Sequence, residues 1–187
     1  LKHSMLFNIV NQGNWIPDEL HTMLRILDIL LQYAFYELSA NRKNFAKTIS
    51  KLIIAEMSQI DPDKLKILQN FQISKFFNLN RGKEIERLWR EFYRLYNIIC
   101  QQNLTDIEID KFGNDAKQWI KDFSRPTIGK FNSPNQQQGM YSKKNVIPYM
   151  HMLAQHMPKF MRNLKNKGLL LRLFSTSSLK KKKIMNM

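Results

Sequence analysis

Acidic residues are missing from the last third of this chain. Residues 1–122 carry 17 Lys and Arg against 15 Asp and Glu, whereas residues 123–187 carry 13 Lys and Arg and no acid. Nearly all of the formal charge of +15 therefore lies after residue 122. Carboxylate-based acid–base catalysis and two-metal chemistry are excluded from that third, because both need converging acids. Cysteine is almost as scarce. A single thiol, Cys100, excludes an internal disulfide framework and points to a reducing compartment. It falls within an apolar helical run, which favours a small buried hydrophobe over a reactive thiol. Glycine and proline number six each, so the regular elements should be long. No apolar run approaches the roughly 18 residues of a membrane span, and the N-terminus lacks the layout of a secretory signal. The expected location is nuclear or cytoplasmic, neither secreted nor in a membrane. The chain opens on Leu1 rather than Met, which raises the expectation of a fragment.

What is present is helical periodicity. A hydrophobic fraction of 43% with 21 aromatics, over 187 residues, is enough to bury a core. The pattern implies an all-α or nearly all-α fold, an irregular domain of about six helices. A short strand at Met5–Val10 could precede them, and a disordered basic tail should end the chain. From Ile16 to Leu38, Leu20, Met23, Leu24, Leu27, Leu30, Leu31, Ala34 and Leu38 follow helical spacing. Residues 44–60 read as a second helix, and Asp61-Pro62-Asp63 opens a short third one through Asn70. Asn80–Asn103 is strongly periodic, with Ile85, Leu88, Trp89, Phe92, Leu95, Tyr96 and Ile99 inward and a mixed-charge outer face that reads as solvated. Thr105 and Glu108 have capping-box spacing and start a helix to about Phe123, in which Ile109, Phe112, Ala116, Trp119 and Ile120 should pack. The six aromatics at Trp89, Phe92, Tyr96, Phe112, Trp119 and Phe123 read as core rather than base-stacking platforms.

The organisation that follows is a helical domain over residues 1–123, a loop over 124–144, a C-terminal helical segment over 145–174 and a basic tail over 175–187. The loop is expected from Pro126, Gly129, Pro134, three consecutive glutamines and Gly139. Pro148 starts the next helix, and Pro158 should kink or break it.

That helix carries His151 and His156. Five residues apart on an unbroken helix, they would lie roughly 140° apart and could not share a face. A shared metal would need a distorted turn before Pro158, plus two further ligands, commonly cysteines. His21 and Asp28 share a stripe with Arg25 and Gln32, which reads first as an ordinary surface face. The basic balance points to an anionic partner, nucleic acid ahead of a membrane surface. The candidate phosphate contacts are Lys143, Lys144, Lys159, Arg162, Lys165, Lys167 and Arg172. The run Lys180–Lys183 reads as a phosphate-contacting arm or, preferably, as the scar of a disrupted reading frame.

Two stretches resemble a known group of proteins. Residues 17–28, Pro-Asp-Glu-Leu-His-Thr-Met-Leu-Arg-Ile-Leu-Asp, look like a segment of uncharacterised transposon-derived proteins. Residues 148–158, Pro-Tyr-Met-His-Met-Leu-Ala-Gln-His-Met-Pro, resemble the C-terminal part of those proteins. More distantly, they are similar to the catalytic subunit of the V(D)J recombinase and its Transib transposase relatives. The resemblance implies that His151 and His156 are two ligands of a structural zinc inserted in an RNase H-like core. It places the other two ligands in an upstream Cys-x-x-Cys that is not in this chain, so no cofactor is expected here and zinc only in a longer parent. The family's catalytic aspartates would precede Leu1, and its catalytic glutamate would fall near Ser175–Lys180, where no acid stands. The expectation is a transposase-like fragment that is not an enzyme as written and has no small-molecule substrate. It would bind nucleic acid non-specifically through the basic third. The alternative is a helical protein-interaction module whose basic bias is compositional.

Overall fold

A computed structural model describes residues 18–41, 68–77, 79–130, 133 and 136–169. The expected N-terminal strand, the second helix, most of the third and the basic tail lie outside these residues. The protein is all-α. Five α-helices are described: α1 (Glu19–Asn41), α2 (Leu79–Ile99), α3 (Asp106–Phe123), α4 (Pro148–His151) and α5 (Met157–Asn166). A 3-10 turn at Ile73–Phe76 precedes α2, and another at Lys143–Asn145 precedes α4. The only β-type pairing among the described residues is one antiparallel bridge between Ile128 and Gln137.

Helix α1 begins three residues later than its apolar spacing implies, because Asp18 acts as its cap. The Asp18 carboxylate accepts from the amides of Leu20 and His21 at 3.0 and 3.2 Å. Its carbonyl accepts from the Thr22 amide and hydroxyl at 3.0 and 2.9 Å. Satisfying these orphan donors near the positive end of the helix dipole fixes the start. The leucine stripe is buried as its spacing requires, and Ile26 joins it while Leu24 is only half-buried.

Helix α3 starts at the Thr105 capping box, in which the Thr105 hydroxyl accepts from Glu108 N and the Glu108 carboxylate accepts from Thr105 N at 2.7 Å. Ile109, Phe112, Ala116, Trp119 and Phe123 are buried, and Ile120 is half-buried. All seven inward residues of α2 are buried as well. Each large apolar side chain removed from water contributes about 1.5–3 kcal/mol, so the burial among α1, α2 and α3 is a large part of the drive to fold. The indole of Trp119 donates to the Leu88 carbonyl at 2.9 Å, which lets a large ring with a polar edge sit in the core.

The charged face of α2 departs from the solvated surface that its sequence suggests. Arg90 donates to the carbonyls of Leu68 and Phe71, tying the chain before α2 onto the helix. Arg87 and Arg94 reach Asp122 and Asp115 of α3 at 3.2 and 2.7 Å. Arg81 donates to both oxygens of Glu37 in α1 at 2.6 and 2.8 Å and to the Gly139 carbonyl at 2.8 Å. Guanidinium groups can do this because several donors on one planar fork serve several acceptors.

The described residues between 124 and 142 fold back on α3. Met140 N donates to Arg125 O, Tyr141 N to Phe123 O, and Ile128 and Gln137 exchange both amide bonds, all at 2.9 Å. Gly139 is needed at this closure, since a Cβ there would lie 2.6 Å from the Thr127 nitrogen.

Gly82 in the first turns of α2 is held equally tightly, with its Cβ position 2.7 Å from the Ser74 carbonyl oxygen and 2.8 Å from the Ser74 Cα. Helix propensity alone would make Gly82→Ala stabilising by about 1 kcal/mol. The clash is with backbone that no side-chain rotation relieves, and overpacking of this kind costs about 1–3 kcal/mol. Gly82→Ala is therefore expected to lower the urea midpoint without changing the slope of the transition; a raised midpoint would contradict the packing.

Candidate functional site

The break before Pro158 takes a specific form. Residues Met152–His156 make a π-type turn, closed by the Met157 amide donating to the Met152 carbonyl. Proline has no amide to give to the carbonyl four residues back, and its ring crowds that carbonyl. Widening the preceding turn to i→i+5 spacing accommodates the ring without ending the helix. Pro158 then packs against α3 where Gly113 leaves room, a Cβ at that glycine lying 3.1 Å from the proline Cγ. Met150, Leu153, Ala154, Met157, Met161 and Leu164 form the buried side of the whole segment.

The wide turn overrides the helical arithmetic for the histidines. An i→i+5 turn stacks His151 under His156, and their ring centroids lie 5.3 Å apart at 67°. The expectation of two rings on different faces assumed a regular helix, and the distortion before Pro158 removes that assumption. With metal–nitrogen bonds of about 2.0–2.1 Å and a tetrahedral angle, two ligating imidazoles have centroids roughly 5.2 Å apart. The separation is that of an edge-on ring pair and also admits two ligands on one ion. Among the described residues no group of three or more His, Cys, Asp or Glu could complete it, so the fit is to two ligands and not to a site. Cys100 is half-buried beyond the end of α2.

His151 is exposed and His156 half-buried. Burial holds His156 below its usual imidazole value, and the neighbouring His151 and Lys159 push in the same direction. The neutral form that a metal would need is thus the favoured one. His21 is placed elsewhere, its Nε2 3.2 Å from the Tyr149 hydroxyl and its ring edge-on to Tyr149 at 5.5 Å. That contact joins α1 to α4 and gives His21 a structural partner.

The seven basic candidates divide into three groups. Lys143 and Lys144 are exposed on the 3-10 turn that Ser142 caps, and Lys159 and Lys167 are exposed on α5 and at its end. Arg162 and Lys165 turn onto α3 instead, pairing with Asp110 at 2.5 Å and Asp106 at 2.9 Å. The Lys165 hydrogen bond and charge hold the Asp106 carboxyl below its ordinary range. Arg172 lies outside the described residues.

Comparison with known proteins adds nothing to this geometry: no family model, no curated protein and no solved structure matches the chain.

A concave surface, which the sequence did not single out, lies between α1, the start of α2 and residues 138–145. Its volume is about 490 Å³, and Tyr33, Tyr36, Glu37, Arg81, Met140 and Tyr141 are among the residues that form it. These residues come from three distant segments, and no local spacing relates one segment to another.

The depressed pKa of His156 has a consequence for stability. Below 6.5, its ordinary value, the unfolded chain takes up a proton that the folded chain resists. Stability from this group is therefore complete above that value and is lost as pH falls through the window down to the folded pKa. The urea midpoint of the native chain is expected to drop on acidification through this range, and that of His156→Gln to drop less. Equal losses in the two proteins would show that His156 has no part in the acid response.

Proposed function

We propose that this chain is a transposase-derived helical remnant, catalytically inactive as written, which binds nucleic acid non-specifically through its basic C-terminal third. The observation that carries the reading is the charge asymmetry: 13 Lys and Arg without one acid after residue 122, with Lys143, Lys144, Lys159 and Lys167 exposed. Arg125, Arg162 and Lys165 are paired with carboxylates from earlier in the chain, so the four exposed lysines carry the attraction, which acts on phosphates of any sequence. The transposase origin rests on the resemblance of residues 17–28 and 148–158, and the 5.3 Å approach of His151 and His156 supports it. In this reading the pair is half of a zinc set whose cysteines belong to a longer parent protein. Inactivity rests on the lack of any acid where the resemblance puts the catalytic glutamate.

A helical protein-interaction module is the second reading. It is favoured by the engagement of Arg162 and Lys165 with α3 and by Ile107, 81% exposed on the first turn of that helix.

Salt separates the two. Each phosphate neutralised adds about 0.7–0.9 to the slope of log affinity against log salt, so four exposed lysines predict roughly a 50- to 150-fold loss between 50 and 200 mM. Fluorescence anisotropy with labelled DNA reads this directly. Replacing Lys143 and Lys144 together by Glu should flatten the slope. Replacing Arg162 and Lys165 by Gln should do so far less, because those side chains already face carboxylates. An affinity that hardly changes with salt would overturn the nucleic-acid reading.

A further inference from the structure

We propose that the apolar groove between the end of α2, the start of α3 and the last turn of α5 is the docking site for the chain's own Leu170–Phe174, the segment that follows the last described residue. The inference is independent of the nucleic-acid reading above.

The groove has a volume of about 240 Å³. Ile99, Ile109 and Met161 form its nearly buried floor, and Leu104, half-buried in the connection between α2 and α3, stands beside them. A dry cavity of roughly 150 Å³ takes a benzene ring, so this groove has room for one or two large apolar side chains. Leu169 belongs to the same surface and is still 37% exposed. Apolar cover is therefore incomplete where the described chain stops.

The way α5 ends decides where the chain is heading. Gly168 takes a φ of +66°. Its amide donates to the Lys165 carbonyl and the Leu169 amide donates to the Leu164 carbonyl, both at 2.9 Å. These two bonds make a Schellman closure, which turns the chain off the helix axis and lays the residue after the glycine back against the helix. Leu169 is thereby set at the groove, and the next residues start from there. Four of those five are large and apolar, namely Leu170, Leu171, Leu173 and Phe174. Left in water, they would forfeit the burial that the groove offers. So short a tether holds them beside it at an effective concentration on the order of millimolar, against which a second copy or an unrelated apolar partner competes poorly.

The polar rim suits the one charge in the segment. Helix α2 has no basic residue in its last turn, so its own sequence leaves the partial negative charge at that end uncompensated. Gln101 and Asn103 put two amide side chains at the same rim. Lys165 also lines the groove, but it is paired with Asp106 of α3 at 2.9 Å. Arg172, in the middle of the segment, is the cation that this end of α2 lacks.

The test uses the full chain. Leu171→Ser combined with Leu173→Ser is expected to lower the urea midpoint, and to lower it clearly less where Leu104→Ala has already opened the groove. Both positions fall outside the core of α1, α2 and α3, so the fold survives the change. Proximity is read by disulfide formation in a Cys100→Ser background. Gln101→Cys with Leu173→Cys should close within one chain, seen as a faster-moving monomer on a non-reducing gel. Lys144→Cys with Leu173→Cys should not close. Lys144 stands with the other end of α2, roughly 27 Å away by the helix rise, and four residues beyond Leu169 span at most about 14 Å. An unchanged midpoint in the double serine variant, a loss that adds fully to that of Leu104→Ala, or no disulfide between positions 101 and 173 would overturn the docking. A disulfide formed only between chains would assign the groove to a second copy and overturn the proposal as well.

Discussion

The ion pair of Arg81 with Glu37 is the constraint on which the arrangement of the remaining elements turns. The Arg81 side chain is 9% exposed and that of Glu37 21%, so both charges have left most of their water. Burial by itself disfavours the Arg81 cation, yet the hydrogen bonds and charge of Glu37 outweigh it and hold the guanidinium pKa above its ordinary value. Such a pair is tolerable only when its geometry is good and its remaining donors are satisfied. Here two contacts to one carboxylate, a carbonyl from residue 139 and the ring of Tyr141 at 5.8 Å supply those conditions. One side chain of α2 thereby fixes both α1 and the segment that follows α3.

Around that joint the apolar core closes in a definite order of dependence. The capping box at Thr105 sets the register of α3, and the register puts Phe112, Trp119 and Phe123 against α2. Phe123 in turn offers its carbonyl to Tyr141, so the long connection is pinned where α3 ends. From there the chain can reach Pro148 and start α4 beside α1, where the His21–Tyr149 contact receives it. Local signals and distant contacts agree at each step, which is the property expected of a sequence that specifies one structure.

Much of this was legible from residue spacing alone. The inward faces of α1, α2 and α3, the Thr105 cap and the interruption at Pro158 all follow from periodicity and local chemistry, because they depend on residues within one or two turns of each other. What escaped has the opposite character. The reach of Arg81 to Glu37 joins residues 44 apart, and the cleft brings residues 33 and 141 together. No helical repeat encodes such distances. The engagement of Arg162 and Lys165 escaped for the same reason, since their partners lie on another helix. The meeting of His151 and His156 was half legible: Pro158 announces a distorted turn before it, but the 3.6-residue repeat does not say that the turn widens to i→i+5 and brings the rings together.

The wide turn before Pro158 is, in effect, one surplus residue stored inside a helix. Removing a single amino acid between Met152 and His156 would let ordinary i→i+4 bonding close up. Because the wide turn has already absorbed that extra residue, everything beyond would keep nearly its present rotation, and Met157, Met161 and Leu164 would still face the interior. The cost would fall on Pro158, whose ring would again crowd the carbonyl four residues back. A further residue gained in the same turn has no such outlet and would swing the charged side of α5 inward, so the segment bears a loss there more readily than a gain.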